Sequence, residues 1–95
     1  MKNPTCTGLI TKLRLLRVLC GYSQEVVGLA LHKSQSAISK VESGKSVVSY
    51  TFVIEAAAFY LLTLEELTHE DIRMLSMKVI DRQYAIRANQ RLNPI

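Results

Sequence analysis

Glutamine, serine and lysine are side chains that read the edges of base pairs, and Gln35, Ser36 and Lys40 bring them together within two helical turns. A glutamine amide meets adenine through two hydrogen bonds, a serine hydroxyl suits several base edges, and the lysine one turn on adds a positive charge. The same residues also suit an ordinary helix start, where they cap and solvate the first turn. Upstream, Ser23 and Gln24 place a hydroxyl and an amide at another helix start, whose free N–H groups favour an anion such as a phosphate or simply take a cap. Nothing comparable supports catalysis. His32 and His69 fall at turn and cap positions, Cys6 and Cys20 have no base nearby in sequence, and no glycine-rich phosphate loop is present. The two cysteines also lack zinc-site spacing, so the sequence predicts no enzyme, no metal and no cofactor.

The elements that must carry these residues follow from apolar spacing and caps. Leu9, Leu13, Leu16 and Cys20 recur on one face and predict an amphipathic helix over 7–20, closed by Gly21. Ser23 caps a second helix from Gln24 to Leu31. Ser34 then caps a third, Gln35 to Ser43, with Ala37, Ile38 and Val41 on its inner side and Gly44 at its end. Ser49 caps a fourth helix from Tyr50 to about Leu61, rich in Val, Ile and Ala. Thr63 and Glu66 form a capping box for a fifth helical turn near Leu67, and Thr68 with Asp71 repeats that spacing before a sixth helix reaching about Arg91. The sixth helix carries two apolar stripes, Ile72–Leu75–Val79–Ile86 and Ile80–Tyr84–Ala88, and ends at Asn93 and Pro94. Two short helices joined by a turn of about three residues are the minimal device for setting a helix in the DNA major groove.

The whole-chain arithmetic agrees. At 95 residues, 48% hydrophobic and 21% charged, the sequence has the composition of one globular domain. Tryptophan is absent and aromatics reach only 6%, so Leu, Val, Ile and Ala must build the core, which favours packed helices and an all-α fold. The net charge of +4 is unevenly placed. Residues 1–45 carry seven basic groups against Glu25 and Glu42, residues 46–72 carry five acidic groups and no Lys or Arg, and residues 73–95 carry five basic groups against Asp81. Such segregation suits a protein that offers one face to a polyanion. The stretch from Val47 to Leu64 approaches the length of a membrane span, but Glu55 at its centre and several hydroxyls make it a buried helix, so no membrane partner is expected. With no export signal read at the N-terminus, a cytoplasmic location with reduced thiols is expected.

From Leu13 to Leu67 the chain reads LRLLRVLCGYSQEVVGLALHKSQSAISKVESGKSVVSYTFVIEAAAFYLLTLEEL. This segment resembles the lambda-repressor-like, Xre/Cro-type helix-turn-helix family, through Leu13, Arg17, Gly21, Ser23-Gln24, Val27, Leu31, Ser34, Ile38-Ser39, Val41-Glu42-Ser43-Gly44-Lys45, Ser49, Val53, Ala57 and Leu64-Glu65-Glu66-Leu67, without an insertion. The resemblance implies an all-α, five-helix domain of that type over 7–67, followed by an additional C-terminal helix over 68–92, within one domain spanning 1–95. It implies DNA base contacts from Gln35, Ser36, Ser39 and Lys40, and phosphate contacts from Ser23, Gln24, Ser34, Ser43 and Lys45. It implies that Arg17 and Glu42 form an ion pair tying the first helix to the third, a scaffold role rather than a contact.

The departures from the family pattern carry expectations of their own. His32 stands where a glycine is usual, so it must take a left-handed conformation or the turn must be remodelled. Gly28 replaces an alanine, which weakens the second helix but permits close approach. Phe59 and Leu61 replace a small residue and a glycine, so the fourth helix is expected to run on or to pack against something extra. Val26 and Leu29 are apolar where the family is polar, either as isolated surface residues or as a contact for a protein partner. The sixth helix is expected to pack on the domain and pair with a second copy, while Arg73, Lys78, Arg82, Arg87 and Arg91 form a solvated basic face or touch phosphates. Two functions follow. The first is a dimeric transcriptional regulator, repressor or activator, on double-stranded operator DNA. The second is a protein-interaction module such as an antitoxin or anti-regulator, docking through Val26, Leu29 and the C-terminal helix.

Overall fold

The computed structural model describes residues 4–92, and within them every regular element is a helix. The chain forms α1 (Pro4–Leu19), α2 (Gln24–Ala30), α3 (Gln35–Glu42), α4 (Tyr50–Phe59), α5 (Leu64–His69) and α6 (Ile72–Leu92). α1 starts earlier than the apolar pattern indicates, with Pro4 in its first turn, where a residue without an N–H is tolerated. The expected stop at Asn93 and Pro94 lies outside the described residues, as do the side chains of Cys6 and Arg91.

Caps explain the breaks. The hydroxyls of Ser23, Ser34, Ser49 and Thr63 accept the backbone N–H three residues on, and Thr63 with Glu66 completes a reciprocal capping box. Thr68 does not open α6 as its spacing suggests. It lies inside α5, where its hydroxyl donates to the carbonyls of Leu64 and Glu65, and Asp71 takes the cap by accepting from the N–H of Met74. A side chain already within a helix reaches the carbonyl four residues back more readily than the next turn's donors.

The first four helices close in one way. At each end the chain turns into a left-handed residue and the following N–H returns to a carbonyl five residues back: Tyr22 to Arg17, Lys33 to Gly28, Lys45 to Lys40 and Leu62 to Ala57. Glycine supplies that residue at Gly21 and Gly44, whereas His32 at φ 58° and Leu61 at φ 62° adopt it with a side chain. α4 therefore does not run on past Phe59. The capping box at Thr63 and the burial of Leu62 fix where the chain must turn, and Leu61 takes the strained position.

The core joins all six helices. Leu16, Ile38, Tyr60, Leu67, Leu75 and Val79 are its largest fully buried side chains. α1 runs through the centre, packing against α3, α5 and α6, while α2 packs on α3 and α4 on α5. Of the two stripes on α6, Leu75 and Val79 are buried, while Ile80 and Tyr84 face outward. Phe59 finds the extra contact its size calls for, its ring packing 5.4 Å from that of Tyr22.

Gly28 and His32 belong together. The left-handed turn at His32 brings the chain back so that the N–H of Lys33 donates to Gly28 at 2.7 Å. A Cβ on Gly28 would sit 2.6 Å from the Lys33 carbonyl oxygen, so only glycine fits where the turn folds over α2.

Candidate nucleic-acid interface

α2 and α3 pack together through Val27, Leu31 and Ile38, and this contact decides which edge of α3 faces water. With Ile38 buried and Ala37 and Val41 partly covered, Gln35, Ser36 and Lys40 are left exposed, and Ser39 lies half-buried beside them. Ser34, Ser43 and Lys45 are exposed at the two ends of α3, and Ser23 at the start of α2. Neither Lys40 nor Lys45 enters an ion pair among the described residues, so both ammonium groups are available to an anion.

A hydrogen-bond chain crosses this edge. Arg17 on α1 donates through Nε and Nη2 to the two carboxylate oxygens of Glu42 at 2.6 and 3.0 Å, and through Nη1 to the Tyr22 carbonyl at 2.9 Å. That bidentate pair leaves little of either side chain exposed, and the bond to Glu42 holds the Arg17 guanidinium above its ordinary pKa. Gln24 on α2 then donates its Nε2 to Glu42 at 3.0 Å, and Gln35 on α3 donates its Nε2 to Gln24 Oε1 at 2.7 Å. The chain runs from the middle of the fold to the exposed first residue of α3.

The hydroxyls at the edge keep donors for a ligand. Ser23 and Ser34 accept the N–H of Val26 and Ala37 as caps, which leaves each hydroxyl hydrogen free to donate. Ser43 instead donates its hydroxyl to the Lys40 carbonyl. Gln24 spends its oxygen and one N–H on its neighbours, so a single N–H remains for a phosphate.

Two features of this edge are not singled out by the sequence pattern. Lys33 is exposed in the turn just before α3, and with Ala37, Ser46 and Val47 it borders a shallow cleft beneath the α3–α4 connector. Val47 is 95% exposed there, an apolar side chain that nothing among the described residues covers. Its only signal in the sequence is a valine within a polar connector. The Gln24–Gln35 contact has the fainter signal that each is the first residue of its helix.

The basic residues of α6 divide. Lys78 and Arg82 fold back onto α5: Arg82 donates to Glu66 at 2.8 and 2.7 Å and to the Leu61 carbonyl at 2.8 Å, and Lys78 pairs with Glu66 and Glu70. These partners, Arg82 first, hold the Glu66 carboxyl far below the usual carboxylate range. Lys78 and Arg82 thus brace the fold, while Arg73 and Arg87 remain exposed without an ion-pair partner among the described residues.

Burial pushes the Cys20 thiol up, and its sulfur accepts from Gln83, a setting for an inert thiol rather than a nucleophile. Among the described residues no three His, Cys, Asp or Glu side chains gather to hold a metal ion, and no helix is long and apolar enough to cross a membrane.

A family model described as a helix-turn-helix domain matches residues 10–69, a span that opens in α1 and closes with the end of α5. No curated protein and no solved structure matches the chain.

Proposed function

The chain belongs to the helix-turn-helix domain family, and from that premise we propose that it is a sequence-specific transcriptional regulator binding double-stranded operator DNA as a homodimer. α3 enters the major groove. Gln35, Ser36, Ser39 and Lys40 contact base edges, while Ser23, Gln24, Ser34, Ser43 and Lys45 contact flanking phosphates. Arg17 and Glu42 hold α3 against α1 at the angle this docking needs. The observation that carries the reading is the exposed polar edge of α3 with its flanking turns, where Lys33, Lys40 and Lys45 enter no ion pair among the described residues and Glu42, already occupied by Arg17, is the one acidic residue.

Dimerisation follows from the size of the reading element. One helix of this length covers too few base pairs for selectivity, whereas a two-fold pair reads half-sites about 34 Å apart. The outer stripe of α6 supports such a pairing, since Met77, Ile80 and Tyr84 expose apolar surface away from the core. The protein-interaction reading rests on Leu29, 73% exposed on α2 beside Val26, where a second protein has an apolar footing next to the DNA edge.

Titration of duplex DNA at rising salt separates the two readings. A regulator loses affinity steeply as salt displaces it from the phosphates and keeps a preference for particular sequences. Absent or salt-independent binding overturns the regulator and leaves the interaction module.

A further inference from the structure

Resting on the homodimer proposed above, we infer that the outer face of α6 is covered by α6 of a second copy running in the opposite direction, with Met77 of one across from Ile80 of the other. α6 lies wholly beyond the matched span of residues 10–69, so this pairing belongs to the chain's own C-terminal residues. The first half of α6 is anchored in the core by Leu75 and Val79. No residue from Ile80 to Gln90 is buried, although this half carries Ile80, Tyr84 and Ile86 at 51, 73 and 44% exposure. A helical stretch shorter than about 12 residues is marginal in water unless one face packs. On the outer side, Arg73, Met77, Ile80, Tyr84 and Arg87 follow one another at alternating steps of four and three, the spacing of a seam between two helices.

The direction follows from charge. The approach to α6 carries Glu65, Glu66, Glu70 and Asp71, whereas the half from Arg82 onward carries Arg82, Arg87 and Arg91 and no acid. Lys78 and Arg82 are spent on Glu66 and Glu70. That leaves Asp71 exposed at one end and Arg87 at the other, neither in an ion pair among the described residues. Two copies running the same way set Arg73 against Arg73 and Arg87 against Arg87 in the seam, and like charges there oppose pairing. Running opposite ways, with Met77 across from Ile80, each Arg87 meets the acidic start of the other α6, and each Arg73 lies across from Tyr84, whose ring face attracts a cation. The exposed second half of each helix is then covered by the first half of the other.

The inference is tested by sedimentation equilibrium of the full chain, wild type and Ile80→Asp, free and on duplex DNA, together with disulfide trapping. Ile80 and Tyr84 are half or more exposed, so substitutions there leave the core in place. Ile80→Asp is expected to raise the dimer dissociation constant at least about tenfold while the domain still unfolds cooperatively. A mixture of Arg73→Cys and Tyr84→Cys chains is expected to give a reducible cross-linked pair on oxidation. Tyr84→Cys alone is expected to stay at the wild-type background set by Cys6 and Cys20, because opposed helices hold the two copies of residue 84 roughly 16 Å apart along the seam. Cross-linking of Tyr84→Cys to itself in preference to the mixed pair overturns the inference. An Ile80→Asp chain as dimeric as the wild type also overturns it, and leaves a dimeric regulator that pairs through another face. A wild type that is monomeric both free and on DNA overturns the inference and the homodimer together.

Discussion

The Arg17–Glu42–Gln24–Gln35 chain and the Glu66–Lys78–Arg82 cluster are made from the same kinds of bond, yet they end differently. The cluster closes on itself: Glu66 caps α5, receives Arg82 and Lys78 from α6, and leaves those cations paired against α5. The chain is open. Its inner end is a part-buried ion pair, and its other end is an amide at the exposed start of α3. A closed network ties two elements together, whereas an open one ends on a polar group at the surface. The family match, over residues 10–69, contains the whole of the open chain but stops before α6, which supplies Lys78 and Arg82.

The largest effect should come from removing the inner end of the chain. Glu42→Ala leaves the Arg17 guanidinium largely buried and without its counter-charge, and a loss of about 3 kcal/mol in unfolding free energy is expected by urea denaturation. A change within a few tenths of a kcal/mol would mean that Arg17 finds water as easily as it finds Glu42.

The exposed end should separate specificity from affinity. Gln35→Ala is expected to remove about 1–3 kcal/mol of discrimination at a single base position. Lys45→Ala is expected to weaken all sequences evenly and reduce the salt slope by about one phosphate contact. Paired binding curves on matched and mismatched duplexes check both. Identical behaviour of the two variants would contradict the division between reading and phosphate contact.

The closed cluster should affect stability alone, and in acid. The folded-state pKa of Glu66 is depressed by Arg82, by the Thr63 N–H and by Lys78, so its contribution is fully present above the unfolded glutamate value of about 4.3 and is lost as pH falls below it. Glu66→Gln is expected to lower Tm at neutral pH and to flatten its fall in acid, with base preference unchanged. A shifted base preference in this variant would join the two networks and remove the contrast between them.

Much of the architecture was legible because it is local. Serine or threonine followed by an apolar run marked every start from α2 to α5, since a cap needs only a side-chain oxygen and an N–H three residues away. Glycine marked two of the four left-handed ends. The end at Leu61 was not legible, because leucine has no local preference for that conformation and takes it only where Leu62 and the Thr63 cap hold the chain on both sides. Thr68 misled for a related reason: capping-box spacing does not reveal whether the hydroxyl already lies inside a helix, bonded to a carbonyl behind it. The candidate edge on α3 could be named residue by residue from the family resemblance. What joins its parts could not, because Gln24 and Gln35 meet only once α2 has packed on α3, and Lys78 and Arg82 leave the basic face only once α5 lies beneath them.

The most direct measurement is selection of bound sequences from a random duplex pool by the intact chain. A regulator that reads through α3 enriches a two-fold symmetric site whose half-sites are centred about 10 base pairs apart, with an adenine preference that Gln35→Ala erases. Recovered sequences indistinguishable from the starting pool would contradict the claim that this edge reads DNA.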